Sequence, residues 1–326
     1  MKYLLIVFSL LSSSAFCQKQ SDVDAVAADE HLLKIICNKL FRTKATDEDK
    51  KKYNQELVAA FESILNKPNS FDIPFDSLKN DMAVLLSPDK KFRIINWNLE
   101  KADKTYEYYG FIQEKHQQVR KMGLFKREKT ETIQLYPLMD KSAEIKNPEN
   151  TITDNKKWFG MLYYKIILKK TKSKTYYTLF GLDENDQHSK KKIIDVLTFD
   201  NNGVPRFGAD IFVMEKKYPK RVIFEYASTC AMSLRYSSQK DSIVFDHLAP
   251  PEPQLEGQFQ YYCTDLSYDG FGFKKGKWNY GTDLNPLNDK SDLDKSYQDP
   301  HKGSSKQQSD LIIDRKRKID KKNNKK

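Results

Sequence analysis

Between residues 158 and 248 seven apolar runs alternate with short polar breaks, and this ladder restricts the chain more than any other feature. The runs are WFGMLYYKIILKK, KTYYTLFGL, KKIIDVLTFD, RFGADIFVM, KRVIFEYAS, AMSLRYSS and DSIVFDHL. They are rich in Ile, Val, Tyr, Phe and Thr, which suit a pleated, half-buried surface. Breaks fall at 170–174, 183–186, 200–203 and 237–241. Asn202-Gly203 is the strongest turn signal, because a tight hairpin needs positive φ. None of the breaks has room for a crossover helix, so successive strands are expected to pair antiparallel. Along 193–199 one face carries Ile193, Asp195, Leu197 and Phe199, and the other Ile194, Val196 and Thr198. Both faces are largely apolar, which predicts packed layers or a curled sheet rather than one sheet with a wet face. Basic pairs open several runs (Lys90-Lys91, Lys191-Lys192, Lys220-Arg221). Their spacings are unequal, so they read as solvated strand starts and not as a repeat.

The N-terminus has the form of a secretory signal peptide, residues 1–17. Lys2 supplies the positive charge, 4–11 the apolar run, and Ala15 and Cys17 the small residues before a cut at Gln18. The run is far shorter than the ~20 residues that span a bilayer, and no second run reaches that length. No transmembrane helix is therefore expected. Cys17 also suits a lipoprotein, but Phe16 is larger than the residue lipidation usually places before its cysteine. The expected product is exported to the periplasm or beyond and released by cleavage.

Residues 18–68 read as a helical hairpin. Val23, Val26, Ala27, Leu33, Ile36, Cys37 and Leu40 recur at helical spacing over 22–41. Thr46 then caps a second helix whose first turn holds Asp47, Glu48 and Asp49, with Tyr53, Leu57, Ala60, Phe61, Ile64 and Leu65 as its stripe. Residues 69–287 read as one antiparallel β domain of about ten to twelve strands. Within it, 71–75 is expected to be extended, 114–131 is too charged to place, and 258–263 and 271–280 are expected to form a closing hairpin across Tyr268-Asp269-Gly270. Residues 288–326 are polar and Lys-rich and read as a disordered tail. The whole is α+β, mainly β, as a two-layer or curled meander behind a helical hairpin.

The net charge is +11. The segment 290–326 holds twelve Lys or Arg against six Asp, so the body at 18–289 carries only +4. The tail's Arg315-Lys316-Arg317-Lys318 has no interleaved aromatics, which argues against nucleic acid as a partner. After signal cleavage Cys37, Cys230 and Cys263 remain. The burial habit of free cysteine favours three thiols, while export permits a Cys230–Cys263 disulfide.

Sequence motifs exclude several chemistries. The five histidines have no partner at ligand spacing, and neither CxxC nor HExxH occurs, so no metal is expected. Phosphate-loop and dinucleotide patterns are missing, and no cofactor is expected. Glu225, Asp246, Asp265 and Asp269 are the candidate catalytic carboxylates, since two such groups across a cleft could cleave a glycoside. Trp158, Tyr261, Tyr262 and Trp278 are candidate stacking surfaces for a glycan, with Tyr163, Tyr164, Tyr176 and Tyr177 as further supply.

WFGMLYYKII, YTLFGLDEND, KKIIDVLTFD, GVPRFGADIF, KRVIFEYASTCAMSLRY, IVFDHLAP and YDGFGFKKGKW resemble, in that order, a set of uncharacterised exported proteins of Bacteroidota. The resemblance covers residues 87–280. It implies a Gram-negative cell envelope and a shared β-rich body, and brings no activity or site residue with it. The expected function is a non-catalytic envelope module that binds a protein or a glycan. The alternative is a glycan hydrolase using paired carboxylates.

Overall fold

A computed structural model describes residues 27–67, 69–122, 126–214 and 217–282, with the side chains of 117–130 left undescribed. The expected signal peptide and Lys-rich tail lie outside these residues. The chain divides into two units. The larger, through Tyr236 and again from Asp241 to Asn285, holds the fold; of the smaller, only the turn Ser237–Lys240 is described.

Two helices come first: α1, described over 27–42, and α2, Asp47–Leu65. Thr46 caps α2 as expected, and Asp49 closes a capping box by accepting from the Thr46 backbone N–H. The first sheet has the order β1 (Ala83–Leu86), β2 (Phe92–Glu100), β3 (Tyr106–Met122), β4 (Lys126–Met139). The second is β5 (Thr153–Asp154), β9 (Pro205–Phe207), β8 (Ser189–Phe199), β7 (Thr175–Asp183), β6 (Leu162–Lys170), with β11 (Val222–Ala227) sharing an edge of β8 with β9. The third is β10 (Phe212–Val213), β15 (Lys277–Gly281), β14 (Cys263–Lys274), β13 (Ser242–Ala249), β12 (Leu234–Ser237). In the ladder β6, β7, β8 and β9 pair antiparallel in succession and β11 returns antiparallel to β8, while the short β10–β15 pairing is parallel.

The alternation within β2 and β8 stacks these layers. Ile95, Trp97 and Leu99 face the helices, where Leu57, Phe61, Ile64 and Leu65 close the first core. Phe61 stacks on Trp97 at 5.5 Å, and Asn54 accepts the Trp97 indole N–H at 2.7 Å. Phe92 and Ile94 point the other way, into a second core with Tyr177, Leu179, Ile193 and Leu197. Ile194 and Val196 point to a third core with Phe245, Phe271 and Trp278. The sequence pattern at 193–199 is thus a strand buried on both faces, and the order of layers is helices, first sheet, second sheet, third sheet. Each fully buried large side chain contributes about 1.5–3 kcal/mol.

Two buried arginines tie segments with no regular structure of their own to the sheets. Arg93 on β2 donates from Nε to Gln113 at 2.7 Å and from Nη2 to the Ser70 carbonyl at 2.7 Å, and its Nη1 also takes the Ile73 carbonyl. Burial lowers its pKa to about 10. Arg221, at the start of β11, is fully buried with Asp195 of β8.

The structure revises several expectations. Residues 71–75 are not extended: a 3-10 turn spans Ser70–Asp72, because Arg93 gathers the carbonyls of 70 and 73. Of the region 114–131, residues 114–122 and 126–131 are strand. β2 ends its pairing at Glu114, and beyond it β3 and β4 continue paired only with each other to Met122 and Lys126. The run 206–214 divides into β9 and β10. The closing hairpin turns at Lys275 and Gly276 rather than at 268–270, since both have positive φ (51° and 78°) and β14 runs unbroken through Gly270. The α+β, mainly β fold behind two N-terminal helices is as expected; among the described residues it holds three sheets and fifteen strands, more than the ten to twelve expected of a two-layer or curled meander. Cys230 and Cys263 form a disulfide, and Cys37 stays free and buried.

Candidate functional site

A cleft lined mostly by polar groups opens where the helical hairpin meets one end of the first sheet. Its volume is about 500 Å³, within the range of small-molecule sites (about 300–1,000 Å³). The C-terminal end of α1 gives Leu40, Phe41 and Arg42, and the first turns of α2 give Lys50. Asn80 and Asp81 come from the turn before β1, and Asn98, Leu99, Glu100 and Tyr106 from the β2–β3 hairpin.

Local chemistry fixes this frame. The capping box sets where α2 begins, and Asp47 beside it accepts the Ala102 backbone N–H at 3.0 Å, which ties the helix to the hairpin turn. Lys50 Nζ reinforces the tie by donating to the Glu100 carbonyl at 2.7 Å. Lys104 holds positive φ (64°) in that turn, and Asp103 accepts from the Thr105 backbone N–H and hydroxyl. On the opposite wall Asp81 pairs with Lys34 at 2.9 Å and Arg42 at 2.7 Å, its side chain only 3% exposed. Arg42, 45% exposed, has its Asp81-bonded edge held and the rest of its guanidinium toward solvent. Beneath this pair the Cys37 thiol is pushed up to about 12, by burial first and by Asp81 second, and stays unreactive.

The groups left over define what the cleft can hold. Among the described residues neither the Asn98 amide nor the Tyr106 hydroxyl has a hydrogen-bond partner, and neither side chain is fully exposed. Burial raises the Tyr106 pKa, with Glu100 and Glu184 adding to it, so the phenol keeps its proton as a donor. Arg42 pairs with Asp81, Lys50 is held by the Glu100 backbone carbonyl, and the Glu100 carboxylate pairs with Lys104, so the lining residues sum to two cations and two anions. The cleft therefore offers amide, phenol and guanidinium groups over Leu40, Phe41 and Leu99, without net charge.

The carboxylates singled out in the sequence lie elsewhere and are dispersed. Glu225 on β11 accepts from the Ser189 hydroxyl at 2.6 Å. Asp246 on β13 accepts from the Ser233 backbone N–H at 2.8 Å. Asp265 makes a turn with Ser267, whose hydroxyl and N–H hold its carboxyl below the usual range, with His247 adding a smaller pull. Asp269 is buried, accepts from Tyr280 at 2.6 Å, and faces His247 Nδ1 at 2.8 Å. His247 stands where the β13–β14 register shifts, and it is the one group near which two of the four acids, Asp265 and Asp269, meet. Of the aromatics, Trp158 and Trp278 are wholly buried, donating to Tyr163 and Thr178, and offer no face to a ligand. Tyr261 is 48% exposed and Tyr262 half-buried.

Sequence reasoning missed every residue of the cleft. Its members come from four segments, two of them helical, spread over about sixty positions; the Thr46 cap and the hairpin turn were the local signals near it. Groups of three or more potential metal ligands are not found among the described residues. No helix of the described residues is long and apolar enough to cross a membrane. No family model, curated protein or solved structure matches the chain.

Proposed function

We propose that this chain is an exported envelope protein that binds an uncharged glycan in the cleft between the helical hairpin and the first sheet. The observation that carries the reading is the pair of part-exposed polar side chains with no hydrogen-bond partner among the described residues, Asn98 and Tyr106, in a cleft whose lining charges sum to zero. Sugar hydroxyls both donate and accept. They suit amides, a phenol and a carboxylate-held guanidinium, while a flat apolar strip such as Phe41 takes the sugar's C–H face. The lining carries two cations, Arg42 and Lys50, and two anions, Asp81 and Glu100, so it gives a charged ligand no net attraction. The Cys230–Cys263 disulfide supports export, since such bridges persist in oxidising compartments, and so does the signal-like N-terminus.

The carboxylates give hydrolysis no comparable support. Glu225, Asp246 and Asp269 are each committed to a structural hydrogen bond, in two different sheets. Binding of cello-, chito- and manno-oligosaccharides to the full chain, followed by titration calorimetry, tests the proposal. Asn98→Ala and Tyr106→Phe are expected to weaken the bound oligosaccharide ~5–30-fold each, the value of one or two lost hydrogen bonds. Equal affinity in both variants and wild type would overturn the assignment.

A further inference from the structure

At the opposite kind of surface, two hairpin tips collect positive charge without compensation. The β6–β7 turn carries Lys170, Lys172 and Lys174, and the β14–β15 turn carries Lys274, Lys275 and Lys277. All six are exposed. The tips come from different sheets but touch: a Cβ at Gly276 would sit 3.1 Å from Thr171 Cγ2. Together they border an open cleft of about 650 Å³ lined by Lys170, Thr171, Lys172, Lys275 and Gly276. Among the described residues none of the six lysines has an ion-pair partner. This contrasts with Lys169 next door, which is held by Asp241 and by the rings of Tyr236, Phe273 and Trp278 at 4.9–5.3 Å.

Like charges gathered this way repel one another, and folding alone supplies no reason to gather them. A partner of opposite charge does. The chemistry of the cluster narrows that partner. It contains lysines and no arginine, so it offers diffuse positive charge rather than a fork for one phosphate. It also has an interfacial aromatic: Tyr218 is 58% exposed, and Lys277 lies 5.9 Å from its ring. Lysine beside exposed tyrosine at projecting turns is the composition that settles at the headgroup level of a bilayer.

We propose that these two hairpin tips dock the protein on a membrane surface rich in anionic phospholipid. Each lysine near such a surface strengthens binding about fivefold, and the attraction decays within a Debye length of ~8–10 Å. The test is co-sedimentation of the full chain with vesicles of phosphatidylglycerol and phosphatidylethanolamine, against vesicles of phosphatidylcholine. Binding is expected only to the anionic vesicles, with release as salt is raised to about 0.5 M, where screening is nearly complete.

Lys170→Gln, Lys172→Gln and Lys275→Gln combined are expected to weaken it ~100-fold. Tyr218→Ser is expected to weaken it without altering the salt dependence. A second combination, Arg315→Gln, Lys316→Gln, Arg317→Gln and Lys318→Gln, holds apart any contribution of the basic C-terminal segment. The proposal is overturned if the hairpin variant binds as wild type does, if phosphatidylcholine vesicles bind equally, or if only the C-terminal variant loses binding. It is also overturned if a soluble polyanion such as heparin binds while the anionic vesicles do not. The exposure of all three hairpin lysines makes an unchanged melting temperature the expected control, and a Glu series at the same positions gives a second, steeper readout.

Discussion

Arg221→Met should cost this fold more than the loss of any surface ion pair. Arg221 and Asp195 are both 0% exposed, with Nε and Oδ2 3.0 Å apart. The contact lies off the N–H axis, so it is an ion pair without hydrogen-bond alignment; neither atom has another partner among the described residues. Arg221 Nη1 also donates to the Pro148 carbonyl at 2.5 Å, and the guanidinium lies 5.4 Å from the Phe159 ring. Removing the arginine leaves Asp195 charged in a dry core. That is worth about 3–5 kcal/mol, against the 0–1 kcal/mol typical of exposed pairs. Release of the loop at Pro148 adds about 1 kcal/mol. Replacing both partners, Asp195→Leu with Arg221→Met, removes the uncompensated charge and should recover most of the loss. The cycle of four proteins therefore predicts a coupling of at least ~3 kcal/mol. Urea unfolding followed by fluorescence reads it, because Trp97, Trp158 and Trp278 each sit in a different core. A single-variant cost under ~1 kcal/mol, or a double variant as unstable as the sum of the singles, would refute the reasoning.

Other expectations follow from the same contacts. Burial raises the Asp183 pKa, against smaller downward pulls from Lys191, Tyr108 and Asn185. The folded state therefore holds this proton more tightly than the unfolded chain does. The stabilisation this gives is complete below the unfolded value of about 4 and is lost as pH rises through the raised folded value. Asp183→Asn should thus gain stability relative to wild type between pH 4 and pH 7; melting curves at both pH values check this, and a constant or shrinking difference contradicts it. Removing the Cys230–Cys263 bridge frees a loop with a sequence separation of 33, worth about 3–4 kcal/mol by loop entropy. Double Cys→Ser unfolding against wild type measures it, and a loss under ~1 kcal/mol counts against the entropic account. Asn54→Ala strands the buried Trp97 N–H and should cost about 1–3 kcal/mol in urea titration.

What the sequence made legible was local. The Asp200–Gly203 turn, the break at 170–174, the Thr46 cap and the two-sided burial of 193–199 rest on neighbours a few positions apart, and the structure has all of them. What it hid was tertiary. The 3-10 turn at Ser70–Asp72 depends on Arg93, about twenty positions on. Tyr268-Asp269-Gly270 looks like a turn, yet Asp269 is buried within β14 and bonded to His247 and Tyr280, and the chain reverses at Lys275-Gly276. The extension of β3 beyond Glu114 rests on pairing with β4 alone, which no apolar run in the sequence announces. The cleft was illegible for the same reason: its groups are ordinary helix, strand and turn residues until α1, α2 and the β2–β3 hairpin bring them together.

Hydrogen–deuterium exchange of the full chain, with and without the oligosaccharide it binds, tests the glycan assignment most directly. Protection is predicted in the segments carrying Arg42, Lys50, Asn80, Asn98 and Tyr106, and nowhere in β13 or β14. Protection confined to the segment around His247, Tyr261 and Asp265, with the cleft segments unchanged, would contradict it and return attention to the carboxylates.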